Sequence, residues 1–223
     1  MPDIVSKRLG KSNQKARSEK STPYQRRMER SLYDERGRRK YLVPLESKAF
    51  LEAALFVRGP TASLCGVLVL TGARISEVLA LTPERIDDAT GTITFMTLKR
   101  RKRVVNRAIP VPRKLLNYLD AVHHYREAQR DPERACERLW TWSRTTAWRR
   151  VKAVMLAASI PRHISSSRAV RHAFGAKAVL KDVNLTMIQR WLGHARIETT
   201  VIYTTVIGPE ERALARRMRV AGW

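Results

Sequence analysis

The sequence predicts a mainly α-helical domain with one small antiparallel β-sheet, an α+β fold. Apolar residues recur at helical spacing in most segments after residue 43. One stretch, "GTITFMTLKRRKRVVNRAIPVP", is instead rich in β-branched residues on both sides of a cationic turn. With 223 residues, of which 43% are hydrophobic, the chain can bury one sizeable core. A single main domain is therefore expected.

The first 42 residues do not share these patterns. They contain 13 Lys or Arg, five acidic residues and few large apolar side chains, so they cannot bury a core alone. We expect residues 1–42 to form a basic, flexible arm, which is either a solvated tail or a segment that contacts DNA and becomes ordered when bound. The folded domain is expected to span residues 43–223, because apolar residues at helical spacing follow Pro44.

The next elements are a helix pair and a hairpin. A helix from about Pro60 to Leu70 is apolar on nearly all sides, which predicts a central position, and Gly72 interrupts it. The segment "ARISEVLALTPERID" is expected to form a second, amphipathic helix. Two strands then flank a cationic tip, with residues 92–95 before it and residues 104–109 after it.

Every periodic segment after Pro112 is predicted to be helical. Residues 127–139 are expected to form a connecting loop. The predicted helices are "RKLLNYLDAVHHYREA", "SRTTAWRRVKAVMLAA", "SSSRAVRHAFGAKAVL", "LTMIQRWLG", "IETTVIYTT" and "PEERALARRMRV".

The net charge of the chain indicates which kind of molecule it binds. Lys and Arg total 44 against 20 Asp and Glu, a formal net charge of +24, which predicts a polyanionic partner and favours nucleic acid. No segment approaches the roughly 20 apolar residues of a membrane span, and no secretory signal is visible. We expect a cytoplasmic, DNA-associated protein without membrane contact. Cys65 and Cys136 lack metal-ligand spacing, so neither a disulfide nor a metal is expected.

Four separated segments together resemble the tyrosine recombinase (phage integrase) family. They are "TGARISEVLAL" with Arg74, the hairpin with Lys99, "RAVRHAFG" with Arg171, and "LGHARIETTVIYTTV" with His194 and Tyr203. The spacings also resemble that family's catalytic domain: 25 residues from Arg74 to Lys99, 23 from Arg171 to His194, and nine from His194 to Tyr203. The resemblance covers residues 43–207 and implies the catalytic-domain fold of that family.

The resemblance implies a site-specific DNA recombinase that forms a covalent 3′-phosphotyrosine and serves integration, excision or inversion of a DNA element. It implies no cofactor, double-stranded DNA as partner, a homo-tetramer on DNA, and a monomer or dimer when free. The last helix, at about 209–220, then packs either on its own domain or on a neighbouring subunit. A tyrosine ester keeps the energy of the broken bond for religation without ATP.

Each candidate catalytic residue has a chemical role. The phenol of Tyr203, with an ordinary pKa near 10, is the candidate nucleophile and needs neighbouring cations or a base. Arg74 and Arg171 are expected to hold the phosphate, because guanidinium groups donate paired charge-assisted hydrogen bonds. Lys99 is the candidate general acid toward the leaving 5′ oxygen. His194 is expected to hydrogen-bond the non-bridging oxygen or the nucleophile.

Other residues are expected to support the site. Glu77 either orients Arg74 or is an ordinary surface partner of it at helical spacing. His172 either supports the site or packs in the core. Lys102 is the alternative to Lys99 as the acid. The predicted DNA contacts are Arg100, Arg101, Lys102, Arg103 and Arg107.

Arg168 departs from the family pattern. The family usually has histidine or lysine three positions before its second arginine, and an arginine cannot accept a proton at cellular pH. If that position normally acts as the base, this chain must rely on phenolate stabilisation by cations, on His172 or His194, or on reduced activity. An inactive relative that keeps the DNA-binding shape is the alternative.

A second departure concerns length. Family members typically carry a core-binding domain before the catalytic domain, whereas only a basic segment of 42 residues precedes it here. The chain is more similar to short members such as the fimbrial phase-switching invertases, and its DNA affinity is expected to fall steeply with salt. Two other functions stay open: a type IB topoisomerase-like activity and a non-catalytic sequence-specific DNA-binding regulator. The second is considered because "ARISEVLALTPERI" and "LTMIQRWLGHARIETTVIY" each resemble a helix-turn-helix.

Overall fold

The computed structural model describes residues 31–98, 104–205 and 215–216. Three 3-10 turns, at Pro83–Arg85, Arg162–Ile164 and Ile202–Thr205, join its helices and strands. The strands are β1 (Ile86–Asp87), β2 (Thr92–Leu98) and β3 (Val104–Pro110). The helices are α1 (Pro44–Val57), α2 (Gly59–Thr71), α3 (Ile75–Val78), α4 (Arg113–His123), α5 (Tyr125–Ala128), α6 (Pro132–Ala135), α7 (Arg144–Ala157), α8 (Ser167–Leu180), α9 (Leu185–Leu192) and α10 (Glu198–Val201). The predicted fold class, mainly helical with a small antiparallel sheet, is confirmed.

Helix α2 lies at the centre of the domain, as its uniformly apolar sequence predicts. It contacts α1, α4, α7 and α8, and Leu64, Cys65 and Val67 are fully buried. Gly72 ends the helix with a φ of 61°, a conformation that glycine adopts without steric cost. A Cβ there would lie 2.7 Å from the ring of Phe174, so a residue without a side chain is needed for this close approach of the backbone to α8.

The three strands form one antiparallel sheet in the order β1, β2, β3. Ile93 on β2 pairs with Ile109 on β3, and both are buried. Phe95 pairs with Arg107, so this arginine points to the same buried face as Ile109. The tip of the hairpin, residues 99–103, lies outside the described residues.

Two helix predictions are wrong in detail. The segment "ARISEVLALTPERID" forms only the single turn α3, because Pro83 then starts a 3-10 turn that leads into β1. The helix predicted after Pro112 stops at His124, whose φ of 52° ends α4 before the short α5.

The predicted loop 127–139 contains a helical turn. Pro132 occupies the first turn of α6, and the carboxylate of Asp131 accepts hydrogen bonds from the backbone N–H groups of Glu133 and Arg134. This cap stabilises a turn too short to show a periodic apolar pattern.

The packed part of the chain begins before the predicted boundary at residue 43. Leu32, Tyr41 and Leu42 are buried, and Leu32 and Tyr41 pack in a small cluster with Tyr203. Arg39 pairs with Glu46 at the start of α1, which fixes this segment to the domain. The basic arm at residues 1–30 and, except for residues 215–216, the predicted helix at 209–220 lie outside the described residues.

Candidate active site

One surface pocket, with a volume of about 500 Å³, joins five distant parts of the described chain. They are the turn before α3, the first half of α8, the loop after α9, the 3-10 turn after α10 and the start of α7. Central helix α2 holds the first two parts together, because Gly72 at its end contacts α8. The predicted site residues that line the pocket are Arg74, Arg168, Arg171, His172, His194 and Tyr203.

Arg74 is held at the amino end of α3 by Glu77. The backbone N–H and the Nη1 of Arg74 each donate to the Glu77 carboxylate at 2.8 Å. The side chain of Arg74 remains 44% exposed, so the guanidinium is oriented by the protein yet accessible from the pocket. Glu77 therefore orients Arg74 and is not an ordinary surface partner, since its own side chain is only 7% exposed.

Glu77 also binds Arg107, which corrects the prediction that Arg107 contacts DNA. Arg107 is buried and donates to both oxygens of Glu77, to the hydroxyl of Thr97 and, at 2.7 Å, to the carbonyl of Trp191. Burial alone would raise the pKa of Glu77, but the hydrogen bonds and charges of Arg107 and Arg74 lower it to about 2. Arg107 thus serves as a buried cross-link between the sheet, α3 and the end of α9.

Arg171 is the buried cation of the pocket. Its Nη1 donates to the carbonyl of Gly72 at 2.8 Å, and its Nη2 donates to the carbonyl of Leu192. Within residues 31–98 and 104–205 no carboxylate lies within ion-pairing distance of it. Burial and then the charge of Arg74 lower the pKa of Arg171 to about 10. The group stays protonated at neutral pH, and its charge is left for an anionic ligand.

Tyr203 lies with its hydroxyl against α8. Its Oη is 3.2 Å from Nδ1 of His172, and its ring covers Gly175, where a Cβ would lie 2.5 Å from the phenol carbon Cζ. Burial raises the pKa of Tyr203 to about 12, although the charges of Arg171 and Arg74 act in the opposite direction. The phenol is consequently protonated at neutral pH.

His194 lies beside the ring of Tyr203. The two rings are nearly parallel, at 11°, with centroids 6.2 Å apart, and Nδ1 of His194 is 2.9 Å from the hydroxyl of Thr200. Burial, followed by the charges of Arg171 and Arg74, lowers the pKa of His194 to about 3. It is a neutral ring, oriented by Thr200, at the edge of the pocket.

The pocket also contains a residue that the sequence did not single out. Arg144 at the start of α7 lines the pocket with Arg74, Arg168 and Arg171, and no Asp or Glu is among the described residues that line it. Its only sequence signal is a position directly after Ser143, which caps α7. Four guanidinium groups and no carboxylate favour the binding of an anion.

The β2–β3 hairpin lies next to the same site. Thr97 and Asn106, on the strands close to its tip, line a neighbouring pocket of about 240 Å³ together with His194, which borders both pockets. The predicted acid and DNA contacts at the tip, Lys99, Arg100, Arg101, Lys102 and Arg103, lie outside the described residues.

The mainly helical fold thus brings one tyrosine, two histidines and a cluster of arginines to a single pocket. Residues 42–207 match the profile of the phage integrase family, and the chain belongs to this family. The family resemblance noted in the sequence is therefore confirmed. Within the described ranges, no helix has the length and apolar content needed to cross a membrane.

Several known proteins are similar to this chain. Tyrosine recombinase XerD of Haemophilus influenzae is 29% identical over 185 residues, which are 81% of this chain and 57% of XerD. The crystal structure of XerA recombinase matches with a TM-score of 0.67 and 22% identity, over 81% of this chain and 65% of that one. XerH site-specific recombinase bound to its difH substrate matches with a TM-score of 0.63 and 20% identity, over 83% and 59%. The chain spans about half the length of the curated relatives it matches.

Proposed function

We propose that this chain is a tyrosine recombinase that cuts and rejoins DNA at specific sites through a covalent 3′-phosphotyrosine. The observation that carries the proposal is the convergence of Tyr203, Arg74 and Arg171 on one pocket, whose described lining contains no carboxylate. Membership in the phage integrase family supports it. The net charge of +24 supports DNA as the substrate.

In the proposed reaction the scissile phosphate occupies the pocket and Tyr203 attacks phosphorus. Arg74 and Arg171 bind the non-bridging oxygens, where negative charge increases in the transition state. Arg74 is suited to this role because Glu77 fixes its orientation, and Arg171 because two backbone carbonyls hold its guanidinium. His194 donates a further hydrogen bond to the phosphate.

Arg144 and Arg168 surround the same pocket and are exposed. We assign them to neighbouring phosphates of the DNA backbone, because exposed arginines lose little hydration when they pair with phosphate at the surface. Lys99 is proposed as the general acid that protonates the leaving 5′ oxygen. Thr97 and Asn106, on the strands close to the tip of this hairpin, share a pocket with His194, which supports this assignment.

The proposal extends to location and assembly. We propose a cytoplasmic protein that is a monomer or dimer when free and a homo-tetramer on DNA, with residues 209–220 docking on the same or a neighbouring subunit. Residues 1–30 would contact DNA outside the pocket. Sizing of the protein with and without its cognate DNA measures the change in assembly.

A regulator without catalytic activity is the weaker alternative. The segment "ARISEVLALTPERI" forms one helical turn and a 3-10 turn, and Ile75, Val78 and Leu79 in it are buried. It therefore offers no recognition helix for the major groove. A type IB topoisomerase-like activity would use the same pocket and would differ only in rejoining the original strand.

The test uses a labelled pool of short nicked duplexes of randomised sequence. The nick lets the cut fragment diffuse away, so a tyrosine ester is trapped and survives denaturing electrophoresis. The wild-type protein should yield this adduct, and sequencing of the trapped DNA then gives the cognate site. Tyr203→Phe should yield none, whereas Tyr118→Phe, which alters a partly buried tyrosine on α4 outside the pocket, should behave as wild type.

Three results distinguish the alternatives. An adduct that persists in Tyr203→Phe contradicts the assignment of the nucleophile. Sequence-specific binding without any adduct would identify a regulator. Adduct formation and supercoil relaxation without exchange between two cognate duplexes would identify a topoisomerase.

A further inference from the structure

We propose that His172 is the general base that accepts the proton of Tyr203 as the phenol attacks the phosphate. This inference rests on the proposed function and names the proton acceptor of the same site. It concerns the position at which this chain departs from its family, because Arg168 cannot take a proton at cellular pH.

The geometry of α8 places the acceptor next to the nucleophile. His172 and Gly175 are three residues apart and so lie on one face of the helix. The ring of Tyr203 fits against Gly175, where no side chain is in the way, and this contact directs its hydroxyl to Nδ1 of His172 at 3.2 Å. That distance is within reach for direct proton transfer, with the hydroxyl donating and Nδ1 accepting.

Other groups around the pocket are less suited to the role. Nδ1 of His194 is occupied by the hydroxyl of Thr200, and its ring faces the tyrosine ring nearly in parallel, so its nitrogens do not point at the phenol oxygen. The carboxylate of Glu77 accepts from Arg74 and Arg107 and is absent from the lining of the pocket. Among the described side chains, His172 is the one recorded in a hydrogen bond with the Tyr203 hydroxyl.

The charges around His172 keep it unprotonated before DNA binds. Arg171 and Arg168 lie on its own helix, Lys40 faces it from the amino-terminal segment, and Tyr203 faces it from the 3-10 turn. Burial, then these three cations, lower the pKa of His172 to about 4. A bound phosphate adds negative charge that offsets the cations. The imidazole therefore becomes more basic at the stage when it must accept the proton of Tyr203.

The proposed step conserves atoms and charge. Oη of Tyr203 forms a bond to phosphorus while its proton moves to Nδ1 of His172, which becomes an imidazolium. The bond from phosphorus to the 5′ oxygen breaks, and that oxygen leaves with the electron pair and takes a proton from the general acid. Religation is the reverse: the 5′ hydroxyl attacks, and the imidazolium returns its proton to Tyr203.

The experiment measures the single-turnover rate of adduct formation against pH, on a nicked duplex that carries the trapped cognate site. For wild type the rate should fall on the acid side as His172 becomes protonated. His172→Asn keeps an acceptor oxygen in place of Nδ1 but cannot hold the proton. It should lose about 10² to 10⁴ in rate and lose the acid limb of the profile. The matched control is His163→Asn, at an exposed histidine outside the pocket. It should keep the wild-type rate and the acid limb of the pH profile.

Two further variants make the test independent of folding. Arg168→Ala removes a cation that lowers the pKa of His172, so the acid limb should move to higher pH; a purely structural His172 predicts no movement. Arg168→His in the His172→Asn background supplies a new base in the same pocket and should recover part of the rate. Thermal melting and DNA-binding isotherms of each variant identify any loss caused by unfolding.

The outcomes separate this inference from the proposed function. If His172→Asn forms the adduct at the wild-type rate with the acid limb intact, His172 is not the base, while the recombinase assignment stands. An acid limb that does not respond to Arg168→Ala also overturns the inference. If the wild-type protein forms no adduct on the pool, the proposed function fails, and the inference fails with it.

Discussion

Two buried arginines, Arg107 and Arg171, show how one residue type serves structure in one region and chemistry in another. Both are less than a tenth exposed, and both donate to backbone carbonyls near the end of α9. Arg107 also binds both oxygens of Glu77, so its charge is neutralised inside the protein. Among the described residues, Arg171 donates hydrogen bonds only to the carbonyls of Gly72 and Leu192, and it lines the pocket.

The comparison teaches that burial does not decide the role of an arginine; its counter-ion does. A buried cation without a carboxylate is costly unless a ligand supplies the negative charge. In the proposed function Arg171 receives the phosphate, whereas Arg107 is a support that holds Glu77, which in turn holds Arg74. Structural and functional arginines are linked through one carboxylate.

The largest expected effect is on folding, at Arg107. Arg107→Ala leaves the carboxylate of Glu77 buried without its main partner, and should lower the free energy of unfolding by about 3 to 5 kcal/mol. Urea denaturation measures the change. Arg168→Ala removes an exposed arginine and should stay within about 0.5 kcal/mol of wild type. A loss at Arg107 as small as that at Arg168 would show that Glu77 does not depend on it.

The next effect is on the reaction, at Arg171. Arg171→Lys keeps the charge but cannot bridge two carbonyls and a phosphate with one planar group. The rate of adduct formation should fall about 10² to 10³-fold, with a smaller loss of stability than in Arg107→Ala. Arg130→Lys, exposed and outside the pocket, is the control. An unchanged rate in Arg171→Lys would mean that a positive charge at this position is sufficient for the reaction and that the planar guanidinium group is not required.

Lowering the pH should reduce the free energy of unfolding by an amount comparable to that lost in Arg107→Ala. The pKa of Glu77 is lowered from 4.5 to about 2 in the folded chain, so its contribution is complete above pH 4.5 and is lost as the pH falls toward 2. The amount is on the order of 3 kcal/mol. Glu77→Gln should remove this part of the pH dependence, and Glu52→Gln, at an exposed position, should retain it. Urea midpoints across this pH range provide the measurement.

The histidines contribute in a separate pH window. The pKa values of His172 and His194 are lowered from 6.5 to about 4 and about 3, so the unfolded chain binds more protons between those values and 6.5. Stability should therefore fall as the pH drops below about 6.5, before Glu77 titrates. A flat profile between pH 6.5 and 4.5 would contradict the burial of the two rings.

The smallest expected effect is at Arg144, an exposed member of the pocket. Arg144→Ala should weaken DNA binding similarly for all sequences and reduce the slope of log affinity against log salt by about 1, the value for one phosphate contact. Fluorescence anisotropy at several salt concentrations measures it. Arg130→Ala should leave the slope unchanged, and an unchanged slope in Arg144→Ala would remove this arginine from the DNA-binding surface.

Particular residues show how far the sequence could be interpreted. Arg74, Arg171, His194 and Tyr203 were selected by their motifs and spacing, and the structure places all four around one pocket. Arg107 was wrongly grouped with the cationic hairpin tip. A signal against that grouping was present, because Ile109 lies two residues away and alternate residues of a strand share a face.

Arg144 could not have been found from the sequence. It lies at the start of a helix with no motif around it, and it reaches the pocket only because α7 packs against α3 and α8. The sequence pattern also did not predict how short α3 is. Its apolar residues continue at helical spacing, but Pro83 starts a 3-10 turn and the next residues pair with β2 as strand β1.

The sequence by itself determined the central helix, the hairpin, the excess of positive charge and the family, because these depend on local periodicity, composition and motif spacing. Tertiary structure alone decided which of the two buried arginines pairs with a carboxylate and which histidine contacts the candidate nucleophile. Those properties depend on distances of a few ångströms between residues far apart in the chain, such as Arg107 and Glu77 or His172 and Tyr203. Local sequence does not encode such distances; the packing of α2, α8 and the sheet sets them.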